Sequence, residues 1–315
     1  ISVSINSGGS VVAIGAGSND GNGSNAGHVR VYQFSGSDWV QKGADIDGDS
    51  LGSYCGKSVS LSADGSVVAI GSTTGTGPTY GGKVQVYQYS GSSWVQKGSD
   101  LIGDAFLDMF GYDCALSADG NTVAACSGSG DGYVRVYTYD SGSADWVQKG
   151  TDVTGENAGD FSAGASLDMN AAGTIFVVGA TENDDAGTNA GHARVFVFSG
   201  SDWTQRGSDI DGDNAYDKAG KSVSINDAGD AIAIGAARNS DGAAFAGQVK
   251  VFKFMAGSWT QMGSDILGEN AQDEFGTAVA LNDDGTILAS AAPYCDATGD
   301  NMGTVRVFNN PSVSV

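Results

Sequence analysis

Basic residues are scarce in this 315-residue chain: 15 lysines and arginines face 37 aspartates and glutamates, a formal charge of −22. So acidic a chain argues against nucleic acid as a partner, because phosphate binding needs a basic surface. It argues equally against an anionic membrane face. Histidine occurs twice, which leaves little material for a nucleophile–imidazole pair. No run of about 18 apolar residues occurs, so no segment reads as a membrane-spanning helix. Sustained 3.6-residue periodicity is absent, which argues against helical domains. The sequence opens at Ile1 inside a strand-like segment with no signal-peptide pattern, so any targeting segment is expected to lie outside it. Proline is nearly missing, with three residues, and cysteine is limited to four.

Glycine, by contrast, is abundant at 50 residues, about twice its usual share. It sits among 5 Trp, 11 Tyr and 12 Phe and runs of Val and Ile, a composition unlike that of a disordered chain. These glycines read as turns between short strands.

Three phrases recur along the chain. Trp39, Trp94, Trp146, Trp203 and Trp259 are spaced by 55, 52, 57 and 56 residues, each opening a phrase such as Trp94-Val-Gln-Lys-Gly. A second phrase starts at Ser2, Ser58, Asp113, Ala165, Ser222 and Ala278. Its clearest copy, Ser58 to Gly71, reads as two strands joined by Ala-Asp-Gly, with glycine at positive φ. The third phrase is Val29-Arg-Val-Tyr and its relatives from Val84, Val134, Ala193, Val249 and Val305. Each repeat therefore encodes four short strands. The second is apolar throughout, as expected for a strand covered on both faces. The fourth carries the Trp and a Lys such as Lys97, which reads as an edge guard against unwanted pairing. Six such repeats predict an all-β, six-bladed β-propeller of four-stranded antiparallel blades, forming one domain over residues 1–315. β-Solenoid coils are too short to match, and immunoglobulin-type sandwiches need about 100 residues each. The last repeat lacks its Trp-bearing strand. Either the protein extends further or Pro311–Val315 fills that place irregularly.

Phe110-Gly111 and Phe275-Gly276, each followed by a strand, an Ile-Gly-Ala-like or Ala291-Ala292-Pro293 segment, and then Gly-x-Val-x-Val-Tyr, resemble FG-GAP repeats, the blades of integrin-α-type propellers. The Trp phrase resembles extracellular repeat proteins of marine microbes and algae. The resemblance implies a secreted or cell-surface binding propeller, often calcium-dependent. The phenylalanine is replaced by Cys55, Ala163 and Ala219 in other copies, and the family's calcium loop between first and second strands is absent, so calcium does not carry over by position.

The candidate cation ligands lie instead in the connection between repeats. Asp45, Asp47 and Asp49, and likewise Asp209, Asp211 and Asp213, place three carboxylates at alternate positions around a glycine, resembling half of an EF-hand loop. Other copies keep the first and last acid, as Asp100 and Asp104, Asp152 and Glu156, Asp265 and Glu269. A further acid follows at Asp108, Asp160, Asp217 and Asp273. The alternative is that these side chains cap backbone N–H groups in a recurring turn. A second polar set, Asn19–Asn22, Asn183–Asp185, Asn239 with Asp241, and Asp296 with Asp300, lies between second and third strands. It is expected to share one acidic face with the acid-rich connections. The two histidines, His28 and His192, both begin third strands, where other copies have Lys83, Tyr133, Gln248 and Thr304. That variety reads as a plain surface position. Gly56-Lys57-Ser58 and Gly220-Lys221-Ser222 lack the spacing and the helix of a phosphate loop. Paired carboxylates are too numerous to mark a glycosidase pair. Cys114 and Cys126 should lie opposite one another, either as a cross-strand disulfide or as two core thiols. The tryptophans read as interblade packing, with sugar stacking as the rival. Asn22-Gly-Ser24 is a glycosylation sequon, relevant only in a eukaryotic secretory pathway.

These features point to a non-enzymatic extracellular or cell-surface module that binds protein or glycan through its loop face, with calcium as a possible cofactor and self-assembly as a further possibility. The alternatives are a structural subunit of a surface fibre or sheath and, last, a polysaccharide-active enzyme.

Overall fold

The computed structural model describes residues 2–74, 81–157, 159–160, 166–296 and 302–309. Every regular element among them is a strand, so no helix is available to cross a membrane. The fold class is the one the repeats predict, an all-β, six-bladed β-propeller of antiparallel sheets. The chain divides into two compact units, Ile1–Thr154 with blades one to three and Gly155–Val315 with blades four to six.

Blade two shows the plan. Its strands Ser58–Leu61, Val67–Ser72, Lys83–Tyr89 and Trp94–Gln96 pair in sequence order. A two-residue strand, Leu101–Ile102, returns to the start of the third strand, with Leu101 opposite Val84. The outer row is thus one line broken between Gln96 and Leu101. Blades one, three, four and five repeat this arrangement around third strands His28–Phe34, Tyr133–Asp140, His192–Phe198 and Gln248–Met255. Blade six has three strands among the described residues, Ala278–Leu281, Ile287–Ala292 and Thr304–Asn309. Pro311–Val315, expected to fill the place of its fourth strand, lie outside the described residues, as do Ala163, Ala165 and Asp300.

The second strands of blades two to five are covered on both faces, and every residue of Val67–Ser72 is buried, whereas those of blades one and six leave Ile14 and Ile287 exposed. The turn glycine at the foot of the first hairpin has positive φ in each copy, 66° at Gly65 and 68° at Gly120, a conformation that glycine adopts without steric penalty.

Adjacent blades approach so closely that backbone meets backbone. A Cβ on Gly71 of blade two would lie 2.0 Å from the Gly111 carbonyl of blade three, and one on Gly235 would lie 2.0 Å from that of Gly276. This explains the Phe-Gly pair physically: Phe110 and Phe275 fill the core, and the next residue must lack a side chain. Cys55 and Ala219 occupy the same bridge position as these phenylalanines, opposite Gly27 and Gly191.

Trp94, Trp146 and Trp259 pack against the preceding blade, whereas Trp39 is 46% exposed. Trp94 Nε1 donates to the Lys42 carbonyl of the preceding blade at 2.7 Å, and Trp146 Nε1 donates to that of Lys97 at 2.6 Å. The fourth-strand lysine is no edge guard. Lys97 is buried, donates to the Gly120 carbonyl at 2.7 Å and lies over the rings of Tyr139 and Trp146. Burial lowers its pKa. The reading failed because a charge on a last strand guards nothing once the next blade's turn covers it.

The expected Cys114–Cys126 disulfide is also corrected. Cys114 is paired with Ala125 and Cys126 with Asp113, one residue out of register, so the two side chains point to opposite faces. Both are buried thiols outside any disulfide, the second of the two expectations, and burial pushes the Cys114 thiol up to about 12.

Candidate functional site

The third-strand phrase Val-Arg-Val-Tyr and the acid-rich connection, which look unrelated in the sequence, form a single device. Arg135 of blade three donates to Asp104, at the end of the preceding connection, at 2.6 and 3.0 Å. The same guanidinium donates to Asp152 of its own connection at 2.6 and 2.7 Å. Lys83 joins Asp49 to Asp100 in the same way, and Lys250 with Gln248 holds Asp213 while Gln248 reaches Asp265. Donation to the Asp152 carboxylate is the main reason the Arg135 pKa is raised. Burial opposes ionisation of Asp100, yet Lys83, Gln85 and Gln96 together outweigh it and hold that carboxyl below its usual range.

The six aspartates read as calcium ligands fall within this clamp system. Asp45 accepts two bonds from Arg30 Nε, at 3.0 and 3.1 Å, and one from Gln41 at 2.6 Å. Asp47 is paired with His28 across the strands, and Asp49 is bound by Lys83. In unit two, Asp209 accepts from Gln205, Asp211 faces His192, and Asp213 is bound by Lys250. Among the described residues, neither triplet forms a three-carboxylate cluster; the clusters that do form are His28–Asp45–Asp47, Glu156–His192–Asp209 and Asp213–Asp241–Asp265.

The further acid in each connection is a turn cap. Asp108 accepts from Ala105 N at 2.8 Å, Asp160 from Glu156 N and Asn157 N at 2.9 and 2.8 Å, and Asp217 and Asp273 from Asn214 N and Asn270 N at 3.0 Å each. On either side of the cap the backbone enters the left-handed region: Leu107 and Met109 at φ 67° and 56°, Tyr216 and Lys218 at 70° and 57°, Gln272 and Glu274 at 69° and 50°. Non-glycine residues seldom adopt this conformation, and such strain gathers at functional surfaces. The second-to-third strand loops are Asx turns of the same kind: Asn19, Asn183 and Asn239 each accept from the backbone two residues on.

These strained residues line the concavities of the loop face. In unit one a cavity of about 780 Å³ is bounded by Ser18, Asn19, Tyr54, Lys57, Thr73 and Thr74, and by Leu107, Met109 and Tyr112. The Lys57 ammonium sits 4.1 Å from the centre of the Tyr112 ring. In unit two a cavity of about 470 Å³ includes Lys218, Lys221 and Arg238 with Glu182 and Glu274. Four cations thus lie on these walls in a strongly acidic chain. Elsewhere, Lys and Arg side chains serve the interblade clamps, as at Arg135, or the turn below, as at Lys97. Second-to-third strand loops and interblade connections do share one face within each unit, as the repeats predict, but its concavities carry the cations. His28 and His192 are buried at strand starts rather than on the surface.

No family model matches the chain, and no curated protein matches it. The similar solved structures include a periplasmic gluconolactonase, PpgL, of Pseudomonas aeruginosa, with TM-score 0.58 and 15% identity over 98% of this chain and 88% of that one. Another is KlAtg21 in complex with the coiled coil of AgAtg16, with TM-score 0.63 and 12% identity over 99% of this chain and 81% of that one. At such identities the likeness is one of fold alone.

Proposed function

We propose that the chain is a binding propeller of an extracellular or cell-surface protein, and that the unit-one cavity takes an acidic glycan. The observation that carries this reading is the cavity wall: two tyrosine rings, apolar Leu107 and Met109, the amide and hydroxyls of Asn19, Ser18 and Thr74, and one cation, Lys57. Aromatic faces stack on the apolar side of a sugar ring, hydroxyls and amides satisfy its polar edge, and the ammonium selects a carboxylate or sulfate. The wall holds no carboxylate, imidazole or thiol among the described residues; its titratable groups are Lys57 and the two tyrosine hydroxyls. None of the six aspartates lines this cavity, and Asp45, Asp49, Asp209 and Asp213 already hold side-chain bonds or ion pairs, so recognition in the cavity is independent of calcium.

A glycan array followed by calorimetry tests this. Acidic oligosaccharides should bind, and Lys57→Met and Tyr112→Ala should weaken binding at least tenfold while leaving the melting temperature within about 2 °C. Chelation should leave affinity unchanged. No binding of any acidic glycan, or equal binding by both variants, would refute it.

The structural-subunit reading has one observation in its favour. Val3 and Ile5 on the first strand of blade one are 66% and 59% exposed, whereas their counterparts Val59 and Leu61 pack against Val29 and Val31 of the preceding blade. Val305 and Val307 on blade six are similarly bare, whereas Val249 and Val251 are buried. A second copy offering the matching face would cover either surface. Light scattering showing a concentration-dependent mass, abolished by Val3→Lys with Ile5→Lys, would support this reading; a constant monomer would dismiss it.

A further inference from the structure

The clamp that closes in blades two, three and five stays open in blade four. Arg194 occupies the place of Arg135, yet its Nη1 stops 4.0 Å from Glu156 and its Nε 3.9 Å from Asp209. Both of those nitrogens are buried without a hydrogen-bond partner, and so are Nδ1 and Nε2 of His192, whose side chain is 0% exposed. Four orphaned polar atoms in one place depart from the rule that buried donors and acceptors are satisfied. The strand register explains why His192 is there: it pairs with Asp211, whose carboxylate lies 4.0 Å from Nδ1. Ligand atoms of His192, Glu156 and Asp209 all lie within 4.8 Å of one another.

The local charge is unbalanced. Three carboxylates, Glu156, Asp209 and Asp211, with Asp160 and Asp185 also in electrostatic range, outnumber one guanidinium, an excess of negative charge that a divalent cation offsets. An imidazole nitrogen with two carboxylate oxygens is a donor set for zinc and its neighbours, whereas calcium prefers oxygen alone. Glu156 is exposed, which gives the ion an entry path.

We propose that His192, Glu156 and Asp209 form a binding site for a divalent transition-metal ion of the zinc type, with Asp211 available beside the imidazole. The site shares Asp209 and Asp211 with the second aspartate triplet but adds an imidazole nitrogen to the oxygens, and it uses none of the residues that line the glycan cavity. Its occupant joins the connection entering blade four to the third strand of that blade, the task that Arg135 performs in blade three.

The test uses the whole chain and Zn²⁺ as the probe, with Co²⁺ as a spectroscopic substitute. Zn²⁺ at a hundredfold excess over its Kd should raise the melting temperature by about 5 °C or more. Titration should saturate at one ion per chain, and Co²⁺ should give visible absorption that shifts in the variants. His192→Gln and Glu156→Gln should each weaken binding at least tenfold. The glutamine variant should fold, because Gln248 holds the equivalent place in blade five and donates to Asp265 at 3.0 Å. No thermal shift and no saturable binding, or binding equal in both variants, would overturn the proposal and leave water as the occupant.

Discussion

Replacing Gly71 by alanine tests the packing that positions the whole loop face. The added methyl would lie 2.0 Å from the Gly111 carbonyl oxygen and 2.2 Å from Ser58 Oγ. Ordinary carbon–oxygen contact is near 3.4 Å, so blade three must retreat by more than 1 Å, and the obstacle is backbone that cannot rotate away. Overpacking of this kind costs about 1–3 kcal/mol. The retreat also breaks the bond from Ser58 Oγ to the Gly111 carbonyl, 3.0 Å in the native structure, worth about 1 kcal/mol. The sum is roughly 2–4 kcal/mol, a fall of about 5–12 °C in melting temperature for a unit of this size. Gly8→Ala is the control: its added methyl would meet nothing nearer than 3.5 Å and its φ is unremarkable, so its stability should stay within about 0.5 kcal/mol of wild type, or rise. Thermal and urea unfolding of both variants, followed by near-UV circular dichroism, reads the difference. Equal stability of the two variants would refute the close-approach account of the Phe-Gly phrase.

Other expectations concern charge and packing. Burial raises the Asp168 carboxyl from 3.8 to about 6. The folded state therefore holds its proton more tightly, and this group's contribution is fully present below about pH 4 and is lost as pH rises through 6. Asp168→Asn should flatten the stability profile between pH 4 and 6, with an amplitude on the order of 1–2 kcal/mol, since the side chain keeps part of its exposure to water; an unchanged profile would contradict the assignment. Asp100 and Asp104 have lowered values, so their contribution has the opposite sign and vanishes as pH falls below the usual carboxylate range, which Asp100→Asn should blunt in an acid titration. Trp146→Phe keeps the ring packing but loses the bond to the Lys97 carbonyl, and should cost about 1 kcal/mol in denaturant unfolding.

The blades were legible because two-residue alternation, apolar second strands and hairpin glycines are local signals, and six copies reinforce one another. The clamps were not. The acids of Asp100–Asp104 suggested either cation ligands or caps because their partners, Lys83 and Arg135, lie 17 and 31 residues away. One signal was present: a long polar or cationic side chain at the second position of the third phrase, Arg30, Gln85, Arg135, Arg194, Lys250 and Arg306, recurs as faithfully as the acids. Lys97 misled for a similar reason, because an edge in one blade is an interior surface once the next blade packs on it. The cysteine register turned on a single residue, which hairpin counting around Ala118–Gly120 did not resolve. The cavity was hidden because Tyr54, Met109 and Tyr112 come from two connections whose lengths vary.

Recognition of an acidic sugar by the unit-one cavity is open to direct observation. Methyl and aromatic NMR during titration with a uronic-acid oligosaccharide tests it most directly. Met109, Leu107, Tyr54 and Tyr112 should shift together along one saturating curve, and the same titration of Lys57→Met should leave them still. Resonances that do not move at millimolar sugar, or shifts confined to unit two, would contradict it.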